Sequence, residues 1–165
     1  MITANTLTIA GFAGCVLTAA ISDARTLRIP NILSASIAVL FAVHAAIDLT
    51  LASVLGALAL AGATLVAGFI AFARGKVGGG DVKLMSVCIA WAGTRDAAEF
   101  LIITGLAGGA IALALLSPLT ARPVCALQRH WPSAETISLG GRTPMPYGVA
   151  IAAGALVVAF LLLAA

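Results

Sequence analysis

The sequence predicts an all-α integral membrane bundle of six transmembrane helices with no soluble domain. Three observations predict it. Of the 165 residues, 62% are hydrophobic and only 9% are charged, with a mean hydropathy of +1.15. A soluble domain carries roughly 25% charged residues, so this chain cannot present a solvated surface in water. The apolar residues gather into runs near the length that crosses a bilayer, and the breaks between runs hold nearly all the charge.

The first run covers 6–22, about 25 Å of helix at 1.5 Å per residue, enough for a span. The first basic residue is Arg25, so no positive segment precedes the run and it is expected to stay as an anchor. Asp23 closes it, and Arg25, Arg28 and Ile29-Pro30-Asn31 follow. Pro30 disfavours helix at Ile29, and Asn31 is suited to cap the next helix. The second run is 32–47, closed by Asp48. The third is 51–73, where Gly56, Ala59, Gly62, Ala63, Ala67 and Gly68 suit close helix packing in lipid. Arg74 and Lys76 end it. Gly78-Gly79-Gly80-Asp81 leads into a short fourth run, 82–93, about 18 Å long. A polar turn is expected over 94–99, then a fifth run, 100–116, ended by Ser117-Pro118. A polar loop over 118–146 precedes the last run, 147–165. The whole chain, 1–165, reads as a single membrane domain.

Six spans divide the basic residues unevenly. Arg25, Arg28, Arg74, Lys76, Lys83, Arg122, Arg129 and Arg142 fall on one side, and Arg95 alone on the other. The excess marks the cytoplasmic side and sets both termini outside. The net charge of +3 is therefore a matter of topology, and nucleic-acid binding is not expected. The same parity puts Asp23 and Asp81 on the cytoplasmic side together. Cys15, Cys88 and Cys125 lie far apart with no Cys-x-x-Cys spacing, which argues against a zinc ribbon or redox pair and for thiols packed as small hydrophobes.

Asp81 is the first candidate for chemistry. The glycines before it let another backbone approach closely, and the free N–H groups and dipole of a helix start favour a carboxylate there. On its own it reads equally as a cap for its helix. A phosphate-cradling loop would need a Gly-Lys-Ser/Thr ending, which is missing. Asp23 on its own reads as an interfacial acid balanced by Arg25 and Arg28. Together the two change the balance. Ionisable groups near membrane depth are costly and usually functional. Two adjacent carboxylates share a proton, so one can act as base and the other as acid, activating water against a peptide carbonyl.

At this point the chain resembles the type IV prepilin peptidases, membrane aspartyl proteases of the Gly-x-Gly-Asp class. The resemblance rests on Asp23 with Ile29-Pro30-Asn31, on Gly78-Gly79-Gly80-Asp81-Val82-Lys83, and on Pro146-Tyr147-Gly148-Val149-Ala150-Ile151 at the last span. It implies a membrane endopeptidase of bacterial inner membranes that removes the short leader of type IV prepilins or pilin-like proteins at the cytoplasmic face. It also implies Asp23 and Asp81 as the catalytic pair, with Gly78, Gly80, Lys83, Pro30 and Asn31 shaping the loop or the substrate's approach. The implied partners are the prepilin and the lipid bilayer, with no metal and no organic cofactor. Larger members carry a cytoplasmic insert after the first span, often with paired Cys-x-x-Cys, associated with N-methylation of the new terminus. Here only a short turn stands there, as in the small peptidase-only branch that serves Flp-type pili, and methyltransferase activity is not assigned. Two alternatives stay open: a small non-enzymatic transporter or assembly subunit using Asp81 as a proton or cation site, and a bifunctional peptidase and methyltransferase.

The other polar residues have plainer expectations. Lys83 lies about 200° around a helix from Asp81, pointing away, and either snorkels to the interface or meets substrate. His44 is expected at the interface near the outer end of its span, and Asp48, Asp96 and Glu99 in outer solvent. Trp131 is expected to rest its loop on the membrane surface.

Overall fold

A computed structural model describes residues 4–116 and 145–164. The expected loop over 118–146, with Arg122, Cys125, Arg129, Trp131 and Arg142, lies almost wholly outside the described residues. Five helices follow in chain order: α1 (Ala4–Thr26), α2 (Asn31–Asp48), α3 (Leu51–Ala73), α4 (Gly79–Leu116) and α5 (Tyr147–Ala164). Each is long and apolar enough to cross a membrane, as in a multi-pass membrane protein. Among the described residues there is no strand and no soluble domain.

The expected six helices are corrected to five. The stretches 82–93 and 100–116 belong to one helix, because Thr94–Glu99, expected as a polar turn, is helical. Polarity alone does not break a helix, and Arg95, Ala97, Ala98 and Glu99 are good helix formers. What interrupts α4 is one residue. Gly93 adopts φ 60°, ψ −163°, a backbone region essentially closed to residues with a Cβ.

Contacts on either side of Gly93 give the direction of each arm. A Cβ on Gly68 of α3 would meet Val82, and one on Gly56 would meet Thr94. The first arm of α4 therefore runs antiparallel to α3. A Cβ on Gly154 of α5 would meet Phe100 and Thr104, and one on Gly108 would meet Tyr147 and Ala150. The second arm therefore runs antiparallel to α5, back toward the end where α4 began. The two arms occupy the places expected for a fourth and a fifth helix.

The core lies between α1, α2, α5 and both arms of α4. Phe12, Val16, Ile37, Leu84, Cys88, Phe100, Ile151 and Val158 are buried there. Ala150, Ala152, Gly154 and Ala155 are buried on α5, where small residues let backbones pack closely. α3 packs along the first arm of α4 and is otherwise uncovered: Ala57 is its one buried residue among those described, and Leu55, Leu58, Leu65, Val66 and Phe69 are exposed. An uncovered apolar surface of this extent suits lipid.

Trp91 anchors the end of the bundle away from Asp81. Its ring stacks on Phe12 at 4.4 Å and on His44 at 4.9 Å, and meets Phe41 edge-on at 6.1 Å. Its Nε1 donates to the Ile37 carbonyl at 3.1 Å. His44 lies at this end of the bundle, away from the acids, and its side chain is buried among helices, with Nδ1 2.6 Å from Asn5 Oδ1, and Asn5 in turn donates to Asp48 at 2.9 Å. A lone histidine near a helix end carries no sequence signal of the tryptophan it stacks on, because the two lie on different helices. Cys88 is buried and Cys15 half-buried, both as free thiols.

Candidate active site

The site forms where α1 ends and α4 and α5 begin. Asp23 was expected just past its span but lies within the last turn of α1, 4% exposed. The helix continues because the Leu27 N–H still donates to the Asp23 carbonyl at 2.9 Å. It stops at Leu27, which takes a left-handed φ of 53°, three residues before Pro30. This places Asp23 on a rigid element rather than a loop.

Asp81 is the third residue of α4 and half-buried. Its carboxylate accepts a hydrogen bond from the backbone of Gly78, just before the helix. That is the backward-reaching half of a capping box, so the acid does cap its helix. The capping geometry also holds the carboxylate in place. Asp23 lies close enough for its charge to act on Asp81. The two acids, 58 positions apart, thus lie within electrostatic range of one another, one on α1 and one on α4.

Two of the glycines have distinct tasks. A Cβ on Gly78 would lie 2.8 Å from Asp81 Oδ2, so glycine there leaves room for the carboxylate to fold back. A Cβ on Gly80 would lie 3.3 Å from Ile29 Cβ and 3.6 Å from its carbonyl oxygen, so glycine there lets α4 start against the α1–α2 connection. That connection is itself tied. Ser22 donates to the Arg28 carbonyl at 2.9 Å, and Thr26 to the same oxygen at 3.3 Å. A cavity of about 550 Å³ opens along it, lined by Ser22, Thr26, Arg28, Ile29, Pro30 and Asn31.

Pro30 and Asn31 differ from expectation. Pro30, with φ −61° and ψ 133°, holds the cap position of α2, and no side chain caps the helix. Asn31 is the first helical residue, and its Oδ1 accepts from Lys83 Nζ at 3.0 Å. Lys83 is exposed near the start of α4 and finds a partner on α2. The bond ties the two motifs to one another.

The residues missed in sequence are on α5. The Gly148 N–H donates to Asp23 Oδ2 at 2.6 Å. The Pro-Tyr-Gly stretch hinted at this only as a motif, because nothing local ties it to an acid 125 positions earlier.

The sequence model of the type IV leader peptidase family matches residues 10–113. The chain belongs to the type IV leader peptidase family. The match takes in Asp23, Ile29-Pro30-Asn31 and Gly78–Lys83, and ends before Pro146. Searches of curated proteins and of solved structures gave no match. Membership makes the chain a leader peptidase-like membrane protein.

Proposed function

We propose that the protein is an aspartic endopeptidase that removes the short leader from type IV prepilins or pilin-like proteins at the cytoplasmic face of a bacterial inner membrane. The observation that carries this is that Asp23 and Asp81 lie within electrostatic range on helix ends, each carboxylate held by a backbone hydrogen bond. Two carboxylates at close range retain one proton between them. The ionised member takes a proton from water as it attacks the leader's scissile carbonyl. The protonated member donates to the carbonyl oxygen, and the collapsing tetrahedral intermediate passes a proton to the leaving amine. The new pilin terminus and the free leader carboxylate are the products. This chemistry needs no cofactor. The small peptidase-only branch fits the short α1–α2 connection, which spans only Leu27 to Pro30.

Support for the cytoplasmic side comes from charge. Arg25, Arg28, Arg74 and Lys76 cluster at the Asp23–Asp81 end, whereas Arg95 stands at the opposite end. A reporter fused after Ala73 is expected to read cytoplasm, and one fused after Arg95 the outer compartment. The reverse pattern would place the acids on the wrong side for a leader. The function itself is tested by coexpressing the protein with a pilin encoded beside it, in a host lacking prepilin peptidases. A pilin shortened by its leader, seen by mass spectrometry, is expected. A full-length precursor alongside folded enzyme would leave the transporter or scaffold reading in front.

A further inference from the structure

We propose that Gly148 is a positioning residue: its backbone N–H, in the first turn of α5, fixes the Asp23 carboxylate in the orientation from which it works with Asp81 and water. This rests on the reading of Asp23 as half of the acid pair. Three observations support it. The N–H···Oδ2 distance is 2.6 Å, and among the described residues it is the hydrogen bond given to that carboxylate. Gly148 is the second residue of α5, so its N–H has no acceptor within the helix and is free for a partner outside it. And only glycine fits. A Cβ there would lie 2.9 Å from both Asp23 Cβ and Oδ2, and 3.0 Å from Cγ. These atoms cannot swing aside, because Asp23 is 4% exposed and its Cβ is fixed to the α1 backbone.

The aspartate side chain has two free torsions and needs a fixed partner to hold one carboxylate plane. Displacement of a reacting group by about 1 Å can reduce the rate ~10²-fold. Gly148 therefore acts through Asp23 and touches no substrate.

Gly154 supplies the control. It lies six residues further along α5, about 9 Å deeper, and its Cβ would meet Thr104 Oγ1 and the Phe100 carbonyl. Gly148→Ala and Gly154→Ala thus both press a methyl into tight packing on one helix, but only the first touches Asp23. Rates are measured on full-length protein in lipid, per folded molecule, with the coexpressed pilin precursor as substrate. Gly148→Ala is expected to lower kcat by about 10- to 100-fold, the worth of one hydrogen bond to a charged group, with KM nearly unchanged. Gly154→Ala is expected to leave kcat near that of the parent. Equal losses in both would make Gly148 a packing residue and overturn the proposal.

A second measurement needs no cleavage and no glycine variant. Amide hydrogen exchange is followed at Gly148 in protein labelled with nitrogen-15 glycine. A first-turn N–H without a partner exchanges freely, so protection at Gly148 reports the Asp23 contact. Asp23→Ala is expected to speed exchange at Gly148 by ~10-fold or more while Gly154 is unchanged. Unchanged exchange at Gly148 would overturn the proposal whatever the cleavage assay gives. Faster exchange in a protein that cleaves no prepilin would instead remove the peptidase reading and leave the hold on Asp23 standing.

Discussion

Asp23→Asn and Asp81→Asn are each expected to reduce leader cleavage by at least ~10³-fold, and the double change to be little worse than either, because residues acting as one unit are strongly non-additive. The reason lies in the shared proton. Each acid is needed in a different protonation state, and asparagine supplies neither a base nor an exchangeable acid. The variants should still accumulate in the membrane. Asparagine is neutral and nearly isosteric, so no uncompensated charge is buried, and its carbonyl can still accept from the Gly148 or Gly78 backbone. Asp48→Asn and Asp96→Asn serve as controls, because both residues line the cavity at the other end of the bundle. They should cleave almost normally. Wild-type rate against pH should be bell-shaped, with both limbs belonging to the pair. Substantial cleavage by either single variant would remove the catalytic assignment.

The largest effect on stability is expected at Trp91. Its ring is 3% exposed and joins α1, α2 and α4 through Phe12, Phe41, His44 and the Ile37 carbonyl. Truncating a buried tryptophan to alanine costs about 3–5 kcal/mol in water-soluble cores. In a bilayer the low end applies, since lipid is already apolar and only the packing contacts and the cavity remain. Trp91→Ala should therefore lose about 3 kcal/mol of stability, read as a lower unfolding temperature in detergent. Trp91→Phe should lose much less, because a ring is retained against Phe12. Cleavage per folded molecule should change little in both, since the cluster lies at the far end from Asp23 and Asp81. An alanine variant as stable as the parent would mean that the aromatic stack contributes nothing.

Much of this was legible in the chain. The helix ends at Asp48, Leu51, Ala73 and Tyr147 fall within one residue of where the apolar runs placed them, because in a membrane protein hydropathy changes where the helix ends. The polar residues Thr94–Glu99 suggest a turn, but the break falls at Gly93, where a single positive-φ glycine reverses the helix. Asp23 and Asp81 could be paired from span parity and charge. What holds them could not be read. The Gly148 N–H reaches Asp23 across 125 positions, and Lys83 reaches Asn31 across 52. Such contacts depend on how helices are rotated against one another, which apolar runs without amphipathic faces do not encode. The burial of His44 is hidden for the same reason: it comes from Trp91 on another helix, not from its own neighbours.

The central claim is that Asp23 and Asp81 form one site. Its most direct test uses a protein freed of its native cysteines and carrying Asp23→Cys with Asp81→Cys, oxidised in native membranes or treated with a short bifunctional thiol reagent. Rapid intramolecular cross-linking is expected, seen as a shift in gel mobility that a cut between α2 and α3 does not resolve into fragments. The pairing of Asp23→Cys with Asp96→Cys, at opposite ends of the bundle, should give none. Failure of the first pair to cross-link in folded protein, or equal cross-linking of both pairs, would mean that Asp23 and Asp81 do not form one site.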